Sequence, residues 1–149
     1  MPEKETLERA HEDAREGKSP STQAGEFVRE EMHHVREGKH GAASAKQVIA
    51  IGLSKARRAG VKLQAPRRGK ASAGTIKQAQ RANRRGQRAS ADQPSPTRSR
   101  ATFQALKKEG NRAASHASLS RQARSAAKKR SSTGHNSALK ASRTRAKKG

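Results

Sequence analysis

Lysine and arginine dominate the chemistry this chain can offer. After Leu63 it carries 23 of them against two acidic residues, grouped as Arg67-Arg68-Lys70, Arg84-Arg85, Lys107-Lys108, Lys128-Lys129-Arg130 and Lys140-Arg143-Arg145-Lys147-Lys148; Lys46, Lys55, Arg57, Arg58 and Lys62 extend the series upstream. Clusters at this spacing suit a polyanion. Neutralising phosphates releases condensed counterions, so affinity should fall by about 10³ to 10⁵ between about 50 and 200 mM salt if roughly 6 to 10 phosphates are contacted. The competing reading is a solvated, self-repelling tail that only keeps the protein dissolved. Sequence-tolerant single-strand binders stack bases on aromatic rings, and Phe27 and Phe103 are the only aromatics here. Duplex DNA is therefore the favoured partner, with RNA second. The expected nucleic-acid-binding residues are Lys46, Lys55, Arg57, Arg58, Lys62, Arg67, Arg68, Lys70, Arg84, Arg85, Lys107, Lys108, Lys128, Lys129 and Arg130.

Other chemistry is weakly signalled. Glu30-x-x-His33 and Glu31-x-x-His34 have the spacing of di-iron bundle pairs, but such sites draw further carboxylates from other helices, and the helix that follows offers none. His11-Glu12 begins like a zinc-protease motif, yet Arg15 stands where the second histidine is required. His11, His33 and His34 are read as helix-surface residues. With no cysteine, thiolate metal sites and disulfides are excluded. No Gly-rich phosphate loop or Ser/His/Asp arrangement is recognisable, so neither a catalytic site nor a cofactor nor a metal is expected. Ser95-Pro96-Thr97-Arg98 resembles the Ser-Pro-basic turns of histone tails, although a plain helix start explains it more simply.

The elements that would position these side chains are helical. Thr6 to Glu16 reads as a short helix with Leu7, Ala10 and Ala14 on one side, stopped by Gly17. Ser19-Pro20-Ser21 opens a second, Thr22 to Glu37, where Ala24, Val28, Met32 and Val35 recur at helical spacing and Gly38 ends the run. A third spans 45 to 59: Ser44 with Gln47 resembles a capping box and Gly60-Val61 a Schellman stop. Ala45, Val48, Ile49, Gly52, Ala56 and Ala59 share one stripe, so small that a neighbouring backbone can approach closely. The second and third helices are thus expected to form an antiparallel hairpin, with Leu63 closing one end. Arg15-Glu16-Gly17-Lys18 and Arg36-Glu37-Gly38-Lys39 echo each other as repeated cap chemistry.

Charge and apolar content divide the 149 residues. Residues 1 to 40 hold ten acidic and seven basic side chains, whereas 41 to 149 hold two and 28, giving +23 overall at a sequence pI near 11.8. Ten of the larger apolar residues fall between Phe27 and Leu63; beyond lie only Ile76, Phe103, Leu106, Leu119 and Leu139. Ordering each residue costs roughly 1 to 2 kcal/mol, which so few large side chains cannot offset. The expected fold class is mostly α: a small helical hairpin of two to three short helices followed by a long, largely disordered basic tail. The units are 1–18, an acidic helix; 19–63, the hairpin; and 64–149, the tail, with transient helices at Thr75 to Arg85, Pro96 to Glu109 and Ser118 to Arg130. No apolar run approaches the roughly 20 residues that cross a bilayer, and the acidic first twenty residues lack the apolar stretch of a secretory signal, so a cytoplasmic or nucleoid protein is expected.

Residues 19–31 (SPSTQAGEFVREE) and, more specifically, 46–60 (KQVIAIGLSKARRAG) resemble a family of small basic bacterial proteins of unknown function, often labelled DNA-binding or plasmid stabilisation proteins. The resemblance covers 19 to 62 well, and the Ser-Pro-x-Arg and Ser-Arg-Gln-Ala-Arg segments loosely. It implies a nucleoid or plasmid-maintenance role and no catalytic residues. The leading expectation is phosphate-backbone binding without base readout, with weak self-association through the hairpin. The alternatives are an interaction module whose hairpin docks a protein partner while the tail serves as tether, and an RNA- or ribosome-associated protein. The link of 38 to 43 is longer than that of a helix-turn-helix, which argues against operator specificity.

Overall fold

Local capping chemistry sets the bounds of the first three helices. A computed structural model describes residues 2–88 and 95–146, apart from the side chains of 133 and 135–146. Helix α1 spans Lys4–Arg15, α2 Pro20–Arg36 and α3 Ala45–Arg58. The hydroxyl oxygens of Ser19 and Ser44 accept from the N–H groups of Thr22 and Gln47, each at 3.3 Å, and Gln47 reaches back to the Ala43 N–H at 2.9 Å. This is the expected capping box, displaced by one residue on its return leg. At the other ends, Lys18 donates to the Asp13 carbonyl, Lys39 to that of His34 and Val61 to that of Ala56, the long bond of a Schellman stop. Gly17 and Gly38 take φ of 73° and 71°, which only glycine adopts cheaply. The Arg-Glu-Gly-Lys echo is thus the same cap built twice.

Helices α2 and α3 pack antiparallel: Ala24 and Phe27 meet Ala56, Val28 meets Gly52, and Val35 meets Val48. The small-residue stripe acts as expected, since a Cβ added at Gly52 would lie 2.6 Å from the Val28 Cα. Leu63 closes the end of the hairpin beside Phe27, together with Leu7, Leu53 and Val61. Helix α1 is no separate acidic arm, because Ala10 is buried in this cluster and the Glu3 N–H bonds a Glu30 carboxylate oxygen at 3.1 Å.

The expectation of a hairpin trailing a largely disordered tail is overturned. Helix α4 spans Ala73–Gly86, α5 Pro96–Lys107, a 3-10 turn Asn111–Ala114 and α6 His116–Ala146. Each expected transient segment coincides with one of these helices or starts within it, and α6 runs through Gly134 without a break. Ala79 and Ala82 of α4 are buried, and α4 lies on α3. Ala113 and Ala114 complete the cluster of Val35, Ala42 and Val48. Backbone bonds tie this half to the hairpin: Gly41 N–H to Leu106 O at 3.0 Å and Ala42 N–H to Gly110 O at 3.1 Å. Two side chains add to them, Arg36 donating to Ala114 O at 3.1 Å and Asn83 to Leu63 O at 2.9 Å.

The physical reason is that this half docks through alanine, glycine and backbone, none of which a count of large apolar residues registers. A Cβ at Gly41 would fall 1.9 Å from Glu109 O, and one at Gly86 2.0 Å from Arg57 O. Helix α5 buries no residue and leaves Phe103 46% exposed; its hold on the hairpin is the Leu106 carbonyl.

Close approach at Gly52 gives a stability prediction. Gly52→Val should lower unfolding free energy by about 1–3 kcal/mol or more through overpacking. Gly25→Ala, on the same hairpin with open space around it, should raise it by roughly 0.5–1 kcal/mol. Urea melts followed by circular dichroism check both signs.

Candidate nucleic-acid interface

Which cations are available depends on what the acids hold. In the N-terminal half carboxylates are engaged internally: Arg9 pairs with Glu26 at 2.8 Å, Lys18 with Asp13 at 2.7 Å and Lys39 with Glu37 at 3.1 Å. Two expected contact residues are drawn into that network. Lys55 turns inward, its ammonium 3.1 Å from Glu30 and touching Glu31, carboxylates that are 2% and 1% exposed. Arg57 is buried and donates to Gln64 O at 3.2 Å, and burial pushes its guanidinium pKa below the ordinary value. Both are corrections to the sequence reading, because a helical wheel cannot show that α2 supplies carboxylates to the Lys55 edge or that the chain returns over Arg57.

The remaining expected residues are exposed. Lys46 stands at the start of α3 and Arg58 near its end; Lys62, Arg67, Arg68 and Lys70 lie on the segment leading to α4; Arg84 and Arg85 are in its last turn. Lys107 and Lys108 end α5, with the Lys107 ammonium 5.1 Å from the Phe103 ring centre. Lys128, Lys129 and Arg130 lie on the outer part of α6. Lys140, Arg143 and Arg145 have no described side chain, and Lys147 and Lys148 lie outside the described residues.

The fold gathers some of these with residues the sequence reading passed over. Arg81, Arg84, Arg85 and Arg88 line a groove of about 300 Å³; Arg81, Arg84 and Arg85 share one face of α4 by their i, i+3, i+4 spacing, a signal present in the sequence once α4 is accepted as a helix, and Arg88 follows just past its end. Desolvation first, and the like charge of Arg85 second, hold Arg58 below its ordinary pKa, so α3 adds a fifth cation to this edge. A second groove, about 730 Å³, runs between the start of α3 and the start of α6 and carries Lys46, Arg112 and Arg121, with Glu109 as its one acid. Arg121, Arg124 and Lys128 continue along one side of α6. That helix has eight lysines and arginines and no acid. At about 1.5 Å per residue it is roughly 46 Å long, enough to follow a duplex past 6 to 10 phosphates spaced at about 1.7 Å of axis per charge.

The histidines divide. His11 and His33 are exposed as expected, but His34 and His40 are 12% and 10% exposed and face Glu31, which corrects the reading of His34 as a helix-surface residue. No helix among the described residues is long and apolar enough to cross a membrane. The chain matches no protein-family model, no curated protein and no solved structure.

The Glu30–Lys55 pair gives a pH prediction. Burial opposes ionisation of Glu30, but Lys55 and the Glu3 N–H outweigh it and hold the carboxyl below its ordinary pKa. A lowered carboxyl pKa stabilises the fold fully above the unfolded value, about 4.3, and that contribution is lost as pH falls through the lower folded value. Thermal melts should therefore show Tm falling below about pH 4, less steeply in Glu30→Gln. Lys55→Met leaves two buried carboxylates without their ammonium and should cost about 3–5 kcal/mol at neutral pH.

Proposed function

We propose that this chain binds the phosphate backbone of nucleic acid, duplex DNA ahead of RNA, without base readout, and that it is not an enzyme. The observation that carries the reading is charge segregation. Asp13, Glu26, Glu30 and Glu31 of the N-terminal half are held in ion pairs at low exposure, whereas the arginine edge of α4, the Lys46–Arg121 groove and the described part of α6 present cations with Glu109 as the one acid among the described residues after Leu63. Rigid helices hold such cations in register with a strand better than a coil does, because less ordering entropy is lost on contact. The resemblance of residues 19–62 to basic bacterial proteins labelled DNA-binding supports the same reading, and with it a role in compacting or protecting nucleoid or plasmid DNA in the cytoplasm.

A second reading retains one observation in its favour. Between α2 and α3, Val28, Met32, Ile49 and Leu53 line an apolar groove of about 480 Å³, a surface for self-association or a protein partner, with the basic half as tether. Deleting residues 64–149 cannot separate the two, because Ala113 and Ala114 belong to the core. Charge reversal can.

Under the leading reading, log affinity for an unrelated duplex falls linearly with log salt. Reversing Arg81, Arg84, Arg85 and Arg88 to glutamate should weaken binding and flatten that slope by about 0.9 for each phosphate no longer neutralised. Competing duplexes of unrelated sequence should differ by less than about 10³. Anisotropy titrations with duplex, single-stranded DNA and RNA in parallel measure all three. Indifference to every polynucleotide in dilute buffer would overturn the proposal.

A further inference from the structure

Glu31 is the most deeply buried carboxylate of the fold, and what surrounds it is arranged for a cation. Neither of its oxygens accepts a well-directed hydrogen bond, although Lys55 touches Oε1 as an ion pair. His34 Nδ1 lies 3.6 Å from Oε1, and His40 Nε2 lies 3.3 Å from Oε2. The three ligand atoms converge within 4.8 Å of one another.

The outer nitrogens of the two rings show which way their lone pairs point. His40 Nδ1 is 3.1 Å from the Gly41 carbonyl, which can only accept, so Nδ1 carries the proton. In a neutral ring Nε2 then aims its lone pair at Glu31. His34 Nε2 is likewise 2.8 Å from the Glu3 carboxylate, leaving Nδ1 unprotonated and turned inward. With those tautomers both inner lone pairs face the Glu31 carboxylate, where the Lys55 ammonium on Oε1 is a cation already in place and a divalent metal would be a stronger one. A carboxylate or carbonyl on the far nitrogen is also the usual outer support of a metal-bound histidine.

We propose that Glu31, His34 and His40 form a zinc-class divalent metal site. Tetrahedral bonds of about 2.0–2.1 Å place ligand atoms about 3.3–3.4 Å apart; His40 Nε2 stands at that range from Oε2 and His34 Nδ1 slightly beyond it from Oε1, so both carboxylate oxygens face the site. Two imidazoles and a carboxylate favour Zn²⁺, Co²⁺ or Ni²⁺ over Mg²⁺ or Ca²⁺. The local charge agrees, because the buried Glu30 and Glu31 carboxylates face the single ammonium of Lys55, and the Glu3 carboxylate is matched by Lys39 at 3.2 Å. On metal binding Lys55 withdraws from Glu31 and keeps its contact with Glu30. The fourth position falls to water or to Glu30 Oε1, which is 3.9 Å from His34 Nδ1. The metal pins the link after α2 to α2 itself, while Glu3 ties in the N-terminal segment.

The test uses the untagged, full-length chain stripped by chelator, titrated calorimetrically with Zn²⁺ and, in parallel, with Co²⁺ followed by visible absorption. One equivalent should bind, with a tetrahedral Co²⁺ spectrum and a higher Tm; Mg²⁺ should do neither. His34→Ala and His40→Ala should abolish the spectrum. Glu3→Gln, which removes only an outer support, should weaken binding about 10- to 100-fold. Lys55→Met should bind more tightly than the parent, since the competing ammonium is gone, and His33→Ala on the exposed face should change nothing. Binding should weaken as the histidines protonate on acidification. If His34→Ala, His40→Ala or Lys55→Met does not fold, the parent, Glu3→Gln and His33→Ala still decide. No saturable Zn²⁺ binding by the parent, equal binding of Mg²⁺, or loss of binding in His33→Ala overturns the site; the first of these would mean that a proton on one imidazole is the missing cation.

Discussion

The approach of one helix backbone to another through residues without bulk is the constraint on which this fold rests. A chain of +23 with few large apolar side chains cannot cohere through burial of big residues, at about 0.8 kcal/mol per methylene. It coheres by shortening distances instead. Gly52 admits Val28, Gly86 admits the Arg57 carbonyl and Gly41 admits the Glu109 carbonyl. Alanines 79, 82, 113 and 114 then fill what space is left. Close approach also brings backbone donors and acceptors of distant segments into range, as where Gly41 and Ala42 bond Leu106 and Gly110.

Charge follows from this geometry. Once α2 and α3 lie antiparallel at short range, Glu30 and Glu31 are carried inside, and the buried carboxylates draw in Lys55 and face His34 and His40. An isolated charge there would be costly, so the acids of α2 are committed to the interior network. The described cations of α4 and α6 stay outside. The same packing step that makes the core therefore sorts the charges, and an exposed basic surface is its by-product.

Much of the N-terminal half is legible in the residues themselves. Ser19, Ser44 and Gln47 mark helix starts, Gly17, Gly38 and Gly60 mark stops, and the period of Ala24, Val28 and Val35 marks a buried face, because capping and periodicity are local physics within four or five residues. The Ala45-to-Ala59 stripe even discloses the close packing of the hairpin. The exposed cations from Lys46 to Arg130 are equally visible, since a solvated lysine needs no partner to be recognised.

Beyond Leu63 the balance changes. Local signals mark the helices of 64–149 as candidate segments, but whether they dock hangs on alanine contacts and on backbone bonds between segments far apart in the chain, such as Ala42 N–H to Gly110 O. Composition carries no trace of these. The roles of Lys55, Arg57 and His40 turn on the same point: what each faces is supplied by another segment, α2 for Lys55 and His40 and the returning chain at Gln64 for Arg57. Local propensity is written residue by residue; burial and electrostatic environment belong to pairs of segments that meet only when the chain has folded.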